Sequence, residues 1–411
     1  MMHNKKVQEK ETFELPVGEV QVGMFVCELD RPWLETPFIL QGFEIQCQED
    51  IEALKEHCEF VYVEKTAALA AYQLRERDEQ ASKNQKRLPA RKTSEKEFVH
   101  AKNLATEGKQ LTRSFMDDVR LGRAIDVKTV EATVSGCVKS IVHNPDAMMW
   151  LAKLRSVDEY TSEHSFNVGL LAITFGRHLG LHEDDLQKLG VAGMLHDIGK
   201  MRTPLEILNK EGALTPEEFK VMREHTTNGR DILVSHKNVA PGTVDVAFTH
   251  HETLDGKGYP RNVKGKGISE FTKIVTVCDV YDALTSERCY KAGKSSVEAF
   301  RILYGGRGKQ FDENLVTEFI ECIGLYPPGC IVELMNGHVG IVISINERQR
   351  RMPKVLIVTD EQKMLKGERI IDLSCVANNA TGRGYMIKAV LPNGTLGIRV
   401  ENYVKRGLRI E

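Results

Sequence analysis

The spacing of apolar and polar residues defines a separate N-terminal region. From Leu15 to Glu64, short apolar runs such as VQVGMFVCEL and EFVYVE alternate with turn residues, and the stretch EDIEALKEHC precedes the last run. Short runs bounded by turns predict strands, whereas apolar residues at three-to-four spacing predict a helix. The pattern therefore predicts a small N-terminal α+β domain over residues 1–73.

A charged stretch follows this domain. Residues 74–97 read LRERDEQASKNQKRLPARKTSEKE, with one proline and almost no apolar content. This composition predicts a flexible linker or the solvated end of a helix. Acidic residues interleave the basic ones, which argues against a nucleic-acid contact in this stretch.

Helical spacing dominates the centre of the chain. Apolar residues recur at three-to-four spacing in segments such as VKTVEATVSGCVKSIV and SFNVGLLAITFGRHLG. This periodicity predicts an all-α helical bundle over residues 98–326.

The C-terminal part has a different pattern. The runs CIVELMNGHVGIVISI and KVLIVT are rich in β-branched residues, so residues 327–411 are predicted to be a β-rich segment. Asn336-Gly337 and Asn393-Gly394 are each predicted to form a hairpin turn. The predicted fold class is therefore multidomain, with a helical bundle between a small α+β domain and a small β-rich segment.

Composition and charge argue against several classes of function. The 411 residues include 56 Lys and Arg against 58 Asp and Glu, and the formal net charge of -2 argues against DNA or RNA binding. No apolar run is long enough to cross a bilayer and the N-terminus lacks an apolar signal core, so we expect no membrane insertion and a cytoplasmic location. The nine cysteines contain no C-x-x-C pair, which favours reduced, packed thiols.

The strongest chemical signal is the pair His196-Asp197 in MLHDIGK. Apolar residues lead up to the pair along a predicted buried helix. A buried carboxylate beside an imidazole is costly unless something positive neutralises the carboxylate and orients the ring, and a metal ion would do both. The alternative is a helix-terminal Asp that acts as a cap beside a core His. The pair alone leaves the two interpretations equally open.

A second signal is the pair His250-His251, which a glycine-rich turn, DGKGYP, follows at close range. Consecutive residues of a helix point about 100° apart, so we expect the two histidines to serve different metals, or one a metal and the other the substrate. Gly256 and Gly258 have no Cβ, so the turn can approach a ligand closely. By itself, the motif is also compatible with a helix end and a structured turn.

Three further candidates lie in or beside helices of apolar periodicity, namely His164 in YTSEHS, His225 in REHTTNGRDIL and Asp279 in IVTVCDVYDALTS. A helical bundle can direct such distant residues into one cavity. Five imidazoles and two carboxylates are too many for one ion, and they suit two metal ions that activate water and hold a phosphoryl group. The absence of cysteine ligands favours iron or manganese over structural zinc. The predicted metal ligands are His164, His196, Asp197, His225, His250, His251 and Asp279.

These spaced motifs resemble those of the HD-GYP family, the phosphodiesterase branch of the HD metal-hydrolase superfamily. His196-Asp197 corresponds to the H-D pair, and Gly258-Tyr259-Pro260 corresponds to G-Y-P. The motifs occur in the family's order. The segment VQVGMFVCELDRPWLETPF also resembles a domain of unassigned function that often precedes HD-GYP domains.

The resemblance implies a metal-dependent enzyme that hydrolyses cyclic di-GMP to linear pGpG and often onward to GMP. It implies the seven metal ligands above, a dinuclear centre, a catalytic role for Asp197, and a Lys200 that stabilises charge on the scissile phosphate. Gly258, Arg288 and Lys291 match positions that contact the nucleotide. Tyr160 stands where some members have a glutamate that goes with a third metal, so two metals are expected here.

Two alternatives to this function stay open. Some HD-GYP proteins hydrolyse 3′,3′-cyclic GMP-AMP, and the sequence does not locate the residues that contact the bases. The other alternative is a cyclic dinucleotide receptor or scaffold that does not turn its ligand over, although none of the predicted ligands is missing. The N-terminal domain is expected to transmit a signal from a partner protein or to form a homodimer contact.

Overall fold

The computed structural model contains two compact units, which divide between residues 90 and 91. The structure describes residues 12–20, 24–31, 36, 43–45, 48–64, 95–152, 160–236, 238–286, 293–346, 349, 351–376 and 382–405.

The N-terminal unit is an antiparallel sheet with one helix. The helix α1 (Gln48–His57) precedes the last strand, and Val26, Ile45 and Leu54 are buried in the unit's apolar core. The predicted α+β fold of this region is confirmed. The strands are paired in the order β1-β4-β2-β3 and are β1 (Thr12–Pro16), β2 (Phe25–Leu29), β3 (Phe43–Glu44) and β4 (Phe60–Glu64).

The second unit begins with a long succession of helices, and the predicted all-α centre is confirmed. The helices are α2 (Glu95–Arg120), α3 (Val127–His143), α4 (Pro145–Ala152), α5 (Tyr160–His178), α6 (Glu183–Leu195), α7 (Leu205–Leu208), α8 (Pro216–Arg223), α9 (His225–Val234), α10 (Pro241–Thr249), α11 (Glu270–Thr285), α12 (Ser296–Gly305) and α13 (Glu313–Ile323).

Polar side chains fix where several of these helices begin. Asp126, Ser269 and Asp312 each accept a hydrogen bond from a backbone N–H of the first turn that follows. Thr215 and Ser295 do the same within capping boxes, in which a glutamate three residues later accepts from the cap's own N–H. These caps satisfy N–H groups that a helix leaves unpaired, so the sequence itself sets the helix starts.

Helices α5 and α6 approach each other closely at two glycines. A Cβ on Gly193 would lie 2.8 Å from the Cα of Gly169, and a Cβ on Gly169 would lie 2.6 Å from the Cγ of Met194. Such distances are sterically forbidden, so the crossing requires glycine at both positions. The crossing brings His164 of α5 beside His196 at the end of α6, with ring centroids 5.5 Å apart.

A five-stranded antiparallel sheet follows the helices, in the order β8-β7-β6-β5-β9. Its residues Ile341 and Ile343 share an apolar core with Trp150 of α4. The indole Nε1 of Trp150 donates a hydrogen bond of 2.7 Å to the carbonyl of Ile343, so the sheet packs directly on the helices. The remaining elements are β5 (Ile331–Leu334), β6 (Val339–Ser344), β7 (Lys354–Thr359), β8 (Leu365–Asp372), α14 (Leu373–Val376), β9 (Ile387–Leu391) and α15 (Val400–Lys405).

One of the two predicted hairpin turns is confirmed and the other is wrong. Asn336-Gly337 joins β5 to β6, with Gly337 in the left-handed region at φ 88°. Asn393-Gly394 instead leads from β9 toward α15, where the side chain of Asn393 accepts a hydrogen bond of 3.2 Å from the backbone N–H of the buried Val400. The dipeptide favours a left-handed turn, but burial of the residues beyond it decides which element follows.

Some predictions on organisation lie outside the described residues. Residues 74–94 of the predicted linker are among these, and α2 begins at Glu95. The division into domains of residues 1–73, 98–326 and 327–411 stays a prediction. Within the part of the chain that the structure describes, no helix combines the length and the apolar character needed to cross a membrane.

Candidate metal centre

The predicted metal ligands converge inside the helical bundle, although they come from distant parts of the chain. They fall into two groups, and within each group the potential ligand atoms all lie within 4.8 Å of one another. The first group is Asp197, His225, His250 and His251, and the second is His164, His196 and Asp279.

Helices and helix ends place these side chains. His164 lies in the first turns of α5 and His225 begins α9, whereas Asp279 lies within α11. The other ligands follow directly after α6 or α10, at His196, Asp197, His250 and His251. Helix ends suit this purpose because their side chains can turn into a cavity without leaving the packed bundle.

Asp197 belongs to the first group and also faces the second. Its Oδ1 is 3.5 Å from the Nε2 of both His225 and His250. Its Oδ2 is 3.3 Å from the Nε2 of His196 and 3.8 Å from the Nε2 of His164. Each carboxylate oxygen therefore faces a different group, which is the position from which one carboxylate can bridge two cations.

Asp279 completes the second group. Its Oδ1 is 3.0 Å from the Nε2 of His164 and 3.8 Å from the Nε2 of His196. The three side chains are buried. Two imidazole nitrogens and one carboxylate oxygen thus meet from three different elements, with the Oδ2 of Asp197 opposite them.

Backbone carbonyls orient three of the imidazoles. The Nδ1 atoms of His196, His225 and His250 lie 2.7, 2.6 and 3.1 Å from the carbonyl oxygens of Gly193, Met222 and Val246. A carbonyl can only accept a hydrogen bond, so Nδ1 donates, and the neutral ring keeps its lone pair on Nε2. Metal-binding histidines are commonly fixed in this way.

Asp282 is part of the site that the sequence analysis missed. Its Oδ2 accepts a hydrogen bond of 2.7 Å from the Nδ1 of His164, and its side chain is buried. The bond directs the Nε2 of His164 toward Asp279 and Asp197, as carbonyls do for the other rings. A signal was present in DVYDAL, because Asp279 and Asp282 are three residues apart and therefore share a helix face.

Electron-rich atoms face one another in the first group. The Nε2 atoms of His225 and His250 are 3.3 Å apart, and neither carries a proton when Nδ1 does. In addition, the Nε2 of His196 and the Oδ1 of Asp197 are buried and find no hydrogen-bond partner among the described residues. Unpaired buried polar atoms are costly, and facing lone pairs repel. Cations held by the two groups would satisfy these atoms, so the residues present fit a metal centre.

The carboxylates of the site are held in their ionised form. Burial would raise the pKa of Asp197, but the Lys200 ammonium and the His196 ring hold it well below its usual value. Burial acts in the same way on Asp279, but the hydrogen bond with His164 and the attraction of the His196 and His164 rings together outweigh it, so that the pKa of Asp279 also lies below its usual range. Deprotonated carboxylates are the form that binds metals.

Two of the imidazoles are held neutral. Burial lowers the pKa of His225 to about 3, against the attraction of Asp197. Burial and the neighbouring His250 hold the pKa of His251 well below its usual value. Neutral imidazole is the form that coordinates a cation, so these rings need no deprotonation before they bind metal at neutral pH.

Lys200 lies beside Asp197 at the edge of the cavity. It lies in the 3-10 helix Ile198–Arg202, and its Nζ contacts the Oδ2 of Asp197. The side chain is 23% exposed, so the ammonium lies at the edge of the buried site. A cation here neutralises Asp197 and adjoins the space in front of both groups. Its catalytic role stays a prediction.

Gly199 allows the residues after Asp197 to lie against α9. A Cβ on Gly199 would overlap the carbonyl of His225 and the backbone nitrogen of Gly229. Only glycine fits this contact at position 199, which explains the glycine of HDIGK. The contact fixes the distance between Asp197 and His225.

The glycine-rich turn folds back on the histidine pair. The backbone N–H of Tyr259 donates a hydrogen bond of 3.2 Å to the carbonyl of His251, and the two rings lie 4.7 Å apart at 30°. A Cβ on Gly258 would overlap the backbone of residues 251–253. The buried Glu252 accepts a hydrogen bond of 2.6 Å from the backbone N–H of Arg261. These contacts make the turn a rigid border of the first group.

Of the three residues predicted to contact the nucleotide, the structure describes only Gly258. Gly258 lies beside the first group, and its contact with a nucleotide stays a prediction. Arg288 and Lys291 lie outside the described residues. The expectation of two metals rests on Tyr160, whose side chain also lies outside the described residues. Glu163, the residue before His164, forms an ion pair of 3.5 Å with Lys109.

Two expectations from the sequence are wrong. The side chain of Asp197 makes no capping hydrogen bond, so the interpretation of this residue as a helix cap fails. His250 and His251 do not diverge into different groups: α10 ends at Thr249, His250 is its C-cap with its N–H donating to the carbonyl of Val246, and His251 follows beyond the helix. Their ring centroids are 4.1 Å apart, and both belong to the first group.

A third group of potential ligands lies at the other end of α5. His178 forms an ion pair of 3.0 Å with Glu318 of α13, and Glu321 is nearby. Glu318 is 47% exposed, so solvent screens this pair. We therefore interpret the group as a surface ion pair that lies apart from the two ligand groups.

Comparison with known proteins identifies the family. An HD domain model matches residues 148–315, and the model of a domain of unknown function (DUF3391) matches residues 12–130. The cyclic di-GMP phosphodiesterase PA4108 of Pseudomonas aeruginosa is 35% identical over 372 residues, which are 87% of this chain and 88% of that protein. The chain belongs to the HD-GYP family. The predicted family, and the predicted N-terminal domain of unassigned function, are confirmed.

Other relatives match shorter parts of the chain. A cyclic di-GMP phosphodiesterase of Thermotoga maritima is 40% identical over 165 residues, or 40% of this chain and 45% of that protein. The 3′3′-cGAMP-specific phosphodiesterase 1 of Vibrio cholerae is 35% identical over 159 residues, or 38% of this chain and 36% of that protein. The solved structure of Bd1817 from Bdellovibrio bacteriovorus aligns with a TM-score of 0.47 and 14% identity, over 75% of this chain and 98% of that one.

Proposed function

We propose that this protein is a metal-dependent phosphodiesterase that hydrolyses cyclic di-GMP to linear pGpG and onward to GMP. The observation that carries the proposal is the position of Asp197, whose two oxygens face two separate groups of buried ligand atoms. A pair of adjacent cations is suited to phosphodiester hydrolysis, because it can hold the attacking and the leaving oxygen together. The choice of cyclic di-GMP rests on the relatives that carry this activity in their names.

The proposed cofactor is a dinuclear iron or manganese centre. Asp197, His225, His250 and His251 would hold one ion, and His164, His196, Asp279 and the other oxygen of Asp197 would hold the second. When bound, the ions supply an activated water and electrostatic stabilisation of the phosphate. Imidazole and carboxylate donors without a thiolate suit iron and manganese.

The side chains around the ions have separate roles in this proposal. Lys200 places its ammonium where negative charge develops on the phosphate, which stabilises the transition state. Asp282 keeps the proton of His164 on Nδ1 and so orients that ring. Gly258, Arg288 and Lys291 are the proposed nucleotide contacts.

A second candidate substrate is 3′,3′-cyclic GMP-AMP. The relative from Vibrio cholerae that carries this specificity in its name is 35% identical over its matched region, as similar as the Pseudomonas aeruginosa protein. We prefer cyclic di-GMP because the Pseudomonas match extends through both units of the chain. The receptor alternative is disfavoured because a site that only binds a nucleotide would not need the buried, unpaired ligand atoms of His196 and Asp197.

Product chromatography tests the proposal. The purified protein, loaded anaerobically with iron or manganese, is incubated with equal concentrations of the two cyclic dinucleotides. We expect faster loss of cyclic di-GMP, with pGpG appearing before GMP, and no product from the His196→Ala/Asp197→Ala variant. Faster loss of 3′,3′-cyclic GMP-AMP would identify it as the substrate in place of cyclic di-GMP. Tight binding without product would show that the protein is a receptor and not an enzyme.

We also propose a cytoplasmic location and a partner for the N-terminal unit. The thiols of Cys137 and Cys278 are buried, and burial raises the pKa of Cys137 to about 12, so they are inert and suited to a reducing compartment.

The N-terminal unit would transmit a signal through a homodimer contact or a partner protein. Sedimentation of the full chain with and without that unit would test the homodimer.

A further inference from the structure

An exposed aromatic ring lies close to the first ligand group. Phe219 of α8 is 48% exposed, and its ring lies 6.3 Å from the ring of Tyr259 at 82°. The Tyr259 ring in turn lies 4.7 Å from that of His251 and 6.3 Å from that of His225. An exposed ring on its own needs no explanation, but this ring extends a row of rings that begins at the metal ligands.

A cation lies on the same face of α8. Arg223 is four residues after Phe219, one helical turn away, and its guanidinium carbon is 4.6 Å from the centroid of the Tyr259 ring. Among the described residues, no carboxylate lies within ion-pair distance of this guanidinium. Its positive charge is therefore available to an anion that approaches the ligand groups.

Helix α8 is fixed in place before any ligand arrives. Thr215 and Glu218 form a capping box at its start, and Lys210 donates a hydrogen bond of 2.8 Å to Glu218. This hydrogen bond holds the pKa of Glu218 below its usual value. The helix therefore presents Phe219 and Arg223 from a rigid element, which lowers the entropic cost of binding.

We propose that Phe219, Arg223 and Tyr259 form a substrate shelf, on which Phe219 stacks with a purine base and Arg223 binds the non-scissile phosphate of the cyclic dinucleotide. The inference rests on the proposed function and names the residues that position its substrate. A cyclic dinucleotide has two purines and two phosphates in one small ring, so placing one phosphate at the metals puts a base and the second phosphate beside the site. The shelf offers an aromatic face and a planar cation for these two groups.

Equilibrium binding tests the shelf independently of turnover. The probe is a phosphorothioate analogue of cyclic di-GMP that resists hydrolysis, titrated into the metal-loaded full-length protein by calorimetry. We expect Phe219→Ala and Arg223→Gln each to weaken binding about tenfold, from lost base stacking and a lost charge-assisted contact. Phe219→Trp keeps a stacking surface and should retain the affinity.

The matched control is Lys220→Gln, which removes a positive charge from an exposed position of the same helix. This variant should bind the analogue within about twofold of the parent protein. Equal affinities for the parent, Phe219→Ala and Arg223→Gln proteins would overturn the shelf, and so would an equal loss in Lys220→Gln and Arg223→Gln.

Kinetics separate this inference from the proposed function. For the hydrolysis of cyclic di-GMP, the two shelf variants should raise KM much more than they lower kcat, whereas a variant at a metal ligand lowers kcat. If the parent protein forms no product, the proposed function fails, but the binding experiment still decides the shelf. A fall in kcat alone, at constant KM and analogue affinity, would overturn the assignment.

Discussion

Opposing electrostatic effects act on the carboxylate of Asp197. Burial alone would favour its protonated form, yet a lysine ammonium and surrounding imidazoles favour the carboxylate. Its buried Oδ1 has no hydrogen-bond partner in the part of the chain that the structure describes, although carboxylate oxygens are strong acceptors. A cation would account for such an atom, and in the proposed centre the same carboxylate would serve two ions.

Asp282 offers a test of how the site orients its ligands. Asp282→Asn leaves a side chain of similar size but weakens the acceptor for the Nδ1 proton of His164. We expect metal affinity and kcat to fall about 10- to 100-fold, because partners of metal-bound histidines have effects of this size. Elemental analysis after dialysis against a weak chelator, together with product formation, measures both. Asp184→Asn, at an exposed position of α6, is the control and should match the parent.

The pKa of His225 predicts how the metal-free protein responds to acid. The folded value is about 3 and the unfolded value is 6.5, so the unfolded chain binds more protons between these pH values. The free energy of unfolding therefore falls as pH decreases from 6.5 toward 3, by about 1.4 kcal/mol per pH unit for this group. The lowered pKa of Asp197 acts in the same direction at still lower pH.

Urea unfolding of chelator-treated protein at pH 7, 6 and 5 checks this prediction. The His225→Asn variant is the comparison, because it removes the titrating ring, and its stability should depend less on pH. A stability of the parent that stays constant or rises toward acid would show that His225 is not a buried neutral imidazole.

At the scale of elements, close backbone contacts set the distances between ligands. Gly199 brings the 3-10 helix against the start of α9, and Gly169 and Gly193 bring α5 against α6. Each contact joins an element that carries His196 or Asp197 to one that carries another ligand. The glycines therefore act on the site through packing rather than through chemistry.

Gly199→Ala tests this role. The added Cβ would overlap the carbonyl of His225, so the two elements must separate. We expect the free energy of unfolding to fall by about 1–3 kcal/mol, as for other overpacked sites, and metal content to fall with it. Thermal unfolding of the metal-loaded protein measures the first effect. Gly305→Ala is the control, because its Cβ would have no heavy atom within 4 Å, and its melting temperature should not fall.

The sequence predicts the ligands better than it predicts their grouping. His, Asp and Gly recur in spaced motifs because the chemistry needs those side chains, and all of the predicted ligands lie in the two groups. The expected separation of His250 from His251 was wrong because it assumed that both residues lie within one helix, whereas α10 ends at Thr249 and His250 is its C-cap. That end depends on tertiary contacts, such as the hydrogen bond of 2.8 Å from Thr276 to the carbonyl of His250. Asp282 was missed because its partner is 118 residues away.

At the scale of the whole molecule, the second unit joins the helices and the C-terminal sheet in one core. Trp150, which is 1% exposed, connects them through its packing and its hydrogen bond to Ile343. Sequence periodicity predicts the helices and the strands separately, but it contains no information on which faces meet. Only the structure therefore shows how the helices and the strands pack together.

Trp150→Phe tests that connection. The ring is retained in part, but the carbonyl of Ile343 loses its indole donor. We expect the free energy of unfolding to fall by about 1–3 kcal/mol, and by about 3–5 kcal/mol in Trp150→Ala, which also leaves a cavity. Chemical unfolding followed by circular dichroism gives both values. Equal stabilities of the parent and both variants would contradict a shared core.

The central claim is that two cations lie on either side of Asp197. Anomalous diffraction from crystals of the manganese-loaded protein measures their positions most directly. The account predicts two peaks, one among Asp197, His225, His250 and His251, and the other among His164, His196 and Asp279. A single peak, or peaks away from Asp197 with these side chains unbound, would contradict it.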